Sequence, residues 1–396
     1  MSKCAKWRFF DFVLNMTIEI LYVVSFLRWR IKKNPMEDFK TRFADYLSRT
    51  CIPSNAPKEE SDSLWREMDG LVQPNIPQKL YRFRSCSLDN FISLEQETIP
   101  VCIASKFHDK YDSLVYVNKE HIYQLIDGVF DSGVVDKMYG TKEDEESVLS
   151  IIEEQYGKEL ADALKTINSE LPEEVREQVR SKEYLHSFLK GIEPIIQDHI
   201  TYMQRDRVTK IACFTEDVRA KHMWDNYADG YSGFALEYDM QSFLNGGCET
   251  CPNIGTCDKA EKNYSHIFPV IYRDKRYDAT ENIVNIIFSN LLHKMGFPQM
   301  LLPIDQLLWF KSYLYKSRSY AQEAEWRMIC HCPAMESSDY ANISDRKSVK
   351  AIYYGPDIEE RYKSHLRKVA QLRGLEEYDV SVDLDNPNFE LKLTKL

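Results

Sequence analysis

No glycine-rich dinucleotide fingerprint and no phosphate loop occurs in these 396 residues. Their absence disfavours the Rossmann and P-loop classes, in which glycines let the backbone approach a pyrophosphate. Internal repeats and low-complexity tracts are lacking as well. The ten cysteines form no secreted disulfide framework, and most sit singly in apolar runs, as Cys102 and Cys213 do. Reduced core thiols in a cytosolic protein are the expectation. Net positive charge is also absent. The formal charge of −11 argues against nonspecific nucleic-acid binding through overall charge, and leaves a local basic cleft open. The acidity is uneven: residues 142–180 hold twelve Asp and Glu against five Lys and Arg.

The N-terminus lacks the small-residue cleavage site of a signal peptide, because its apolar run ends in Leu27-Arg28-Trp29-Arg30. The run covers Phe9 to Leu27 with basic residues on both sides. Asp11, Asn15 and Glu19 fall four apart, a narrow polar stripe on one helical face. A central Glu costs roughly 3 kcal/mol on the insertion scale, while each Leu, Ile, Phe or Val returns about 0.3 to 0.6. A membrane span is therefore near balance. The expectation is a helix over 1–34 docked on the body, with a peripheral membrane or partner contact through residues 7–30 as the alternative.

What is present reads as an α+β protein with mixed and antiparallel sheets forming a cleft. Residues 35–79 form a helical segment and linker, and 80–396 a main domain. That domain contains a helical acidic insertion at 141–205 and a cysteine-rich loop at 245–266. Strand-like runs fall at Leu80–Arg84, Ile99–Ser105, Lys210–Phe214, Gly233–Tyr238, Phe268–Tyr272, Trp326–Cys330, Val349–Tyr354, Tyr378–Val382 and Phe389–Leu393. Helices are expected at 117–131 and at about 280–295, 305–317 and 356–373, the last opened by Pro356 and closed by Gly374. Strands scattered among irregular helices argue against an alternating parallel sheet.

Several short segments set charges beside aromatics. Arg82 stands between Tyr81 and Phe83 with Arg84 on the same face, and such an arginine needs a carboxylate or phosphate partner. Asp109 and Asp112 suit a cation, ribose hydroxyls or an Asp-built turn. Thr215, Glu216, His222, Trp224 and Tyr227 follow a strand and span a helix start. Glu323, Glu325 and Arg327 alternate with apolar residues, so in a strand they share one face. The plain alternative is a solvated charged face. Cys248, Cys251 and Cys257, with His266 as fourth ligand, have the chemistry of a structural zinc site, and free or redox-active thiols are the other reading.

Taken in order, these segments resemble a bacterial family known as domain of unknown function 2971. The matching residues are Leu80–Arg84, Phe107–Asp112, Cys213–Glu216, Met223–Ala228, Gly233–Tyr238 and Glu325–Arg327. The chain departs from the family pattern at His108, Lys110 and Tyr111, and has Thr215 for serine. More distantly, the order of basic strand, hydroxyl-bearing strand and Glu-x-Glu looks like that of ADP-ribosyltransferases. The resemblance implies NAD as substrate, with Arg82, Arg84, Tyr227, Asp109, Asp112 and Arg327 binding it. Glu325 would stabilise an oxocarbenium-like transition state, Thr215 would orient Glu325, and Glu323 would orient or deprotonate the acceptor. The implied role is a cytoplasmic toxin or phage-defence effector with an unidentified protein or nucleic-acid acceptor. Two other readings stay open. One is a noncatalytic module binding an anionic ligand or nucleic acid, braced by a zinc loop. The other is a metal-dependent hydrolase using Asp109, Asp112 and Glu325.

Overall fold

The computed structural model describes residues 39–54, 56–170, 172–245, 267–294, 302, 304–331, 336–385 and 387–396. The apolar N-terminal run and the cysteine-rich loop with Cys248, Cys251, Cys257 and His266 lie outside these residues. Among the described residues no helix is long and apolar enough to cross a membrane. The chain is α+β, and it divides into two compact units. The stretch read as one domain from residue 80 contributes to both.

One unit gathers the segments up to Met68, Leu114–Tyr202 and Tyr277–Ser312. It holds helices and two isolated bridges, and no strand of a sheet among its described residues. The acidic insertion folds as expected into successive helices at Lys142–Tyr156, Lys158–Glu170, Glu173–Val179 and Lys182–Arg205. Its first helix opens on a capping box, with Thr141 and Asp144 each satisfying the other's backbone N–H. Gly157 at φ 91° turns the chain into the next helix, a conformation that carries no side-chain clash for glycine. A buried ion pair ties distant segments of this unit. Lys311 Nζ donates to Asp305 at 2.6 Å and to the Thr50 carbonyl at 2.7 Å, and Asp305 also accepts from Ile52 N–H.

The other unit, Asp69–Ser113, Met203–Arg276 and Tyr313–Leu396, contains all twelve strands found among the described residues. They are β1 (Lys79–Arg84), β2 (Thr98–Cys102), β3 (Thr209–Thr215), β4 (Phe234–Asp239), β5 (Ile267–Pro269), β6 (Ile271–Arg273), β7 (Tyr315–Ser317), β8 (Glu325–His331), β9 (Tyr340–Ser344), β10 (Val349–Tyr354), β11 (Glu376–Val382) and β12 (Leu391–Lys395). A ten-stranded sheet runs β12-β11-β10-β4-β1-β3-β2-β9, with β8 pairing β3 and β5 pairing β8. All its pairings are antiparallel except β10–β11. A parallel pair, β6–β7, stands apart.

Three local expectations change. The run Phe268–Tyr272 is not one strand: β5 pairs with β8, the chain turns at Val270, and β6 pairs with β7. The helix expected to reach residue 317 ends at Leu314, and Tyr315–Ser317 becomes β7. Pro356 precedes the last helix without opening it; that helix runs Glu360–Arg373 from a Glu359 cap, and Gly374 closes it at φ 63°.

The aromatic motif residues pack the sheet. Phe83 meets Trp224 edge-to-face at 5.0 Å, and Trp224 Nε1 donates to the Val218 carbonyl at 2.7 Å. This anchors the Lys221–Tyr227 helix on β1. Gly233, just before β4, has a steric reason to be glycine: a Cβ there would sit 2.1 Å from the Arg84 carbonyl oxygen. The close approach sets the end of β1 against the start of β4, where Arg84 pairs with Phe234.

Candidate functional site

Period-two alternation on β1 sends Leu80, Arg82 and Arg84 to one face and Tyr81 and Phe83 to the other. The register then sets Tyr81 beside Thr215 and Thr215 beside Glu325, while Cys213 pairs with Arg327. Residues far apart in sequence, with Arg82 and Arg84 coming from the opposite face of β1 to Tyr81, line one cleft of about 360 Å³ within the strand-bearing unit. Its walls include Arg82, Arg84, Asp109, Asp112, Cys213, Tyr227, Lys316, Glu323, Glu325 and Arg327. The volume is that of a small-molecule site.

The floor is a closed ion network. Arg327 is fully buried. Its Nη1 donates to Asp112 Oδ1 at 2.8 Å and to the Tyr313 carbonyl at 2.6 Å. Its Nη2 donates to Asp112 Oδ2 at 2.5 Å and to Glu325 Oε2 at 3.1 Å, and its Nε to Glu325 Oε1 at 2.8 Å. All five guanidinium donors are used, so Arg327 binds protein groups instead of the ligand expected of it. Asp112 is likewise spent on Arg327 and is not a free cation or ribose ligand. Its turn is pinned by Gln204 Nε2, which donates to the carbonyls of Lys110 and Asp112. Asp109 does what an Asp-built turn requires, accepting from the Tyr111 N–H at 2.9 Å.

The charged face is not solvated: Glu323, Glu325 and Arg327 are 6%, 4% and 0% exposed. Glu325 and Arg327 share a face of β8 as alternation demands. Glu323 lies outside that strand, at the end of the Arg318–Glu323 turn, and Ala324 at φ 44° separates it from Glu325. Lys316 Nζ bridges the two glutamates, at 2.5 Å from Glu323 Oε2 and 2.9 Å from Glu325 Oε2. The second Glu323 oxygen accepts from the Tyr227 hydroxyl at 2.8 Å. Thr215 Oγ1 donates to the Glu323 main-chain carbonyl at 2.6 Å. The hydroxyl expected to orient Glu325 is therefore committed to the backbone of Glu323.

The two carboxyls titrate in opposite directions. Burial raises Glu325, but the Arg327 guanidinium and Lys316 ammonium outweigh it and hold the group well below the ordinary carboxylate range. Burial also raises Glu323. Lys316 opposes this, the neighbouring Glu325 charge adds to it, and the net shift is upward. Burial and the Glu323 carboxylate push the Tyr227 phenol up as well, so it stays protonated.

Across the cleft the balance reverses. Arg82 is 8% exposed; its Nη2 donates to the Pro100 carbonyl at 3.0 Å, and its guanidinium lies over the Phe214 ring at 5.4 Å. Arg82 Nη1 and Arg84 Nη2 are both buried and have no hydrogen-bond partner among the described residues. Burial and the adjacent Arg82 charge lower Arg84 to about 9. Among the described residues no carboxylate pairs with Arg82, although four carboxylates, Asp109, Asp112, Glu323 and Glu325, line the same cleft.

Sequence reasoning found Arg82, Arg84, Tyr227, Glu323 and Glu325 at the cleft. It missed Lys316, Gln204 and Tyr313, which stand in no motif. Lys316 is recognisable only once β7 is placed beside the Glu323 turn. Among the described residues no cluster of His, Cys, Asp and Glu is placed to hold a metal ion, and of the three carboxylates of the hydrolase reading, Asp112 and Glu325 are both bonded to Arg327. The family described as "Protein of unknown function (DUF2971)" matches residues 223–328. That span runs from the Met-Trp helix into β8 and carries Tyr227, Lys316, Glu323, Glu325 and Arg327. No curated protein matches the chain, and no solved structure does.

Proposed function

We propose that the cleft binds a small molecule carrying phosphate, with a nucleotide such as NAD as the ligand of first choice. The observation that carries this reading is the pair of buried, unpartnered guanidinium nitrogens, Arg82 Nη1 and Arg84 Nη2, in one cleft. Burying a polar group without a partner costs about 1–3 kcal/mol, and more when it is charged. Two adjacent arginines left in that state suit an anion that satisfies both. Phosphate oxygens accept from guanidinium groups in strong charge-assisted bonds.

The carboxylate side supports chemistry on that ligand. In the NAD reading the C1′–N bond breaks with its electron pair retained by nicotinamide. An oxygen of water or of an acceptor hydroxyl bonds to C1′, and its proton passes to a carboxylate. The protein would then be a transferase or glycohydrolase of toxin or defence type. The noncatalytic binding module is favoured by a separate observation: Glu325, placed by the resemblance at the reacting centre, has both oxygens held by cations.

Calorimetric titration of the full chain with ADP-ribose tests the anion site. Binding is expected, with loss of at least tenfold in affinity in both Arg82→Gln and Arg84→Gln. Affinity unchanged in these variants, or no binding by the wild type, overturns the reading. Nicotinamide release from NAD by the same preparation separates transfer from binding alone.

A further inference from the structure

We propose that the outer side of the turn walling the cleft is a binding surface for single-stranded nucleic acid. The inference goes beyond the small-molecule reading and stands apart from it, because Arg82 and Arg84 take no part.

The turn has two sides. Lys106, Phe107, His108, Asp109 and Asp112 line the cleft, whereas Lys110 and Tyr111 lie outside its lining. Lys110 is exposed, and so is Tyr111. Gln204 ties the turn to the segment carrying Arg207, through bonds to the carbonyls of Lys110 and Asp112. Arg207 Nε donates to Asp339 at 2.8 Å, and the Lys106 ammonium reaches the same carboxylate at 3.0 Å. Tyr340 follows at the start of β9. These groups all belong to the strand-bearing unit.

Charge gives the first argument. Lys106, Lys110, Arg207 and Arg276 are exposed cations of this patch. Two carboxylates stand among them. Asp339 is shared by Lys106 and Arg207, and Asp109 gives an oxygen to the Tyr111 N–H. Positive charge is left in surplus, in a chain whose formal charge is −11. A local field of that sign draws a polyanion to the patch and not to the rest of the surface.

The rings give the second. The Arg276 guanidinium lies 5.8 Å from the centre of the Tyr111 ring, and the Lys106 ammonium 5.6 Å from that of Tyr340. With a cation over each ring, Tyr111 is still 67% exposed and Tyr340 59%. Each ring therefore offers open surface to a flat partner. Spaced phosphates meet the cations while bases stack on the rings, the combination by which proteins hold single strands without reading sequence. A duplex keeps its bases stacked on one another and leaves the rings idle. An acidic peptide satisfies the cations alone.

The experiment is fluorescence anisotropy of labelled oligothymidine and oligouridine, about 16 nucleotides long, titrated with the full chain at several salt concentrations. Both should bind more tightly than a duplex of the same length, with affinity falling as salt rises. Tyr111→Ala and Tyr340→Ala should each weaken binding at least about fivefold, and Tyr111→Phe should keep wild-type affinity. Lys110→Gln and Arg207→Gln should each lower the slope of log affinity against log salt by about 0.7. Melting temperatures check that the variants fold; should Tyr340→Ala lose its fold, Tyr111→Ala decides. No single-strand binding at about 50 mM salt, equal binding of the duplex, or unchanged affinity in both alanine variants overturns the proposal. Inorganic polyphosphate bound as tightly as oligothymidine reduces the patch to charge alone, and polyglutamate bound as tightly points to an acidic protein. Either result overturns it too. The cleft is tested separately: Tyr111→Ala should leave ADP-ribose affinity unchanged, and failure of ADP-ribose to bind overturns the small-molecule reading alone.

Discussion

Arg327 and Asp112 stand 215 residues apart in sequence and meet through two parallel hydrogen bonds of 2.8 and 2.5 Å in a fully buried site. Such a pair is sensitive to loss of either partner, because the survivor is left as an uncompensated buried charge. Arg327→Leu and Asp112→Asn should each destabilise the protein by about 3–5 kcal/mol. Arg327→Lys should not rescue it, since one ammonium cannot reproduce five donors in a planar fork. Urea denaturation measures the losses. A double variant costing less than the two singles together would confirm direct coupling.

Arg84 predicts the opposite sign. Its Nη2 is buried and unpartnered, and the Arg82 charge lies beside it. Arg84→Met should leave the melting temperature unchanged or raised while ADP-ribose binding falls at least tenfold. Site charges kept for a ligand show this split between stability and binding. A large fall in melting temperature would make Arg84 a structural residue.

The opposed shifts of Glu323 and Glu325 give a pH signature. Glu325 is depressed in the folded state, so its contribution is present above the unfolded pKa of about 4.3 and lost as pH falls towards the folded value. Glu323 is raised, so its contribution is present below that unfolded pKa and lost as pH rises through the folded value. Glu323→Gln should therefore flatten the decline in stability on the alkaline side of pH 4.3 and leave the acid-side loss intact. Denaturation midpoints compared for wild type and variant across about pH 3 to pH 8 test this.

Gly233 gives a purely steric prediction. A methyl group placed 2.1 Å from the Arg84 carbonyl oxygen cannot be accommodated unless β1 and β4 separate at that end. Gly233→Ala should cost at the upper end of the roughly 0.5–3 kcal/mol range of single substitutions. It should also weaken ADP-ribose binding, because Arg84 is carried on the displaced backbone. A variant as stable as wild type would contradict the close approach.

Much of the architecture was legible because it is local. Alternation placed Arg82 and Arg84 on one strand face, and helical spacing marked the acidic insertion. The runs that failed are those decided by partners. Phe268–Tyr272 has the composition of one strand, yet its halves pair with β8 and β7. Tyr315–Ser317 continues a helical pattern until β6 claims it.

The same division runs through the cleft. Sequence alone determined which segments set charges among aromatics on strand-like runs, where a buried charge needs a partner that water does not supply. It also determined that Glu325 and Arg327 share a face, since strand geometry repeats every two residues. Only the tertiary structure decided which partner each charge receives. Arg327 takes Asp112, Lys316 bridges both glutamates, and Thr215 turns to the Glu323 backbone. The arginines of β1 are left facing the cleft. The physical reason is that electrostatic pairing depends on distance in space and on burial, and both are set by how the fold brings together segments up to 215 residues apart.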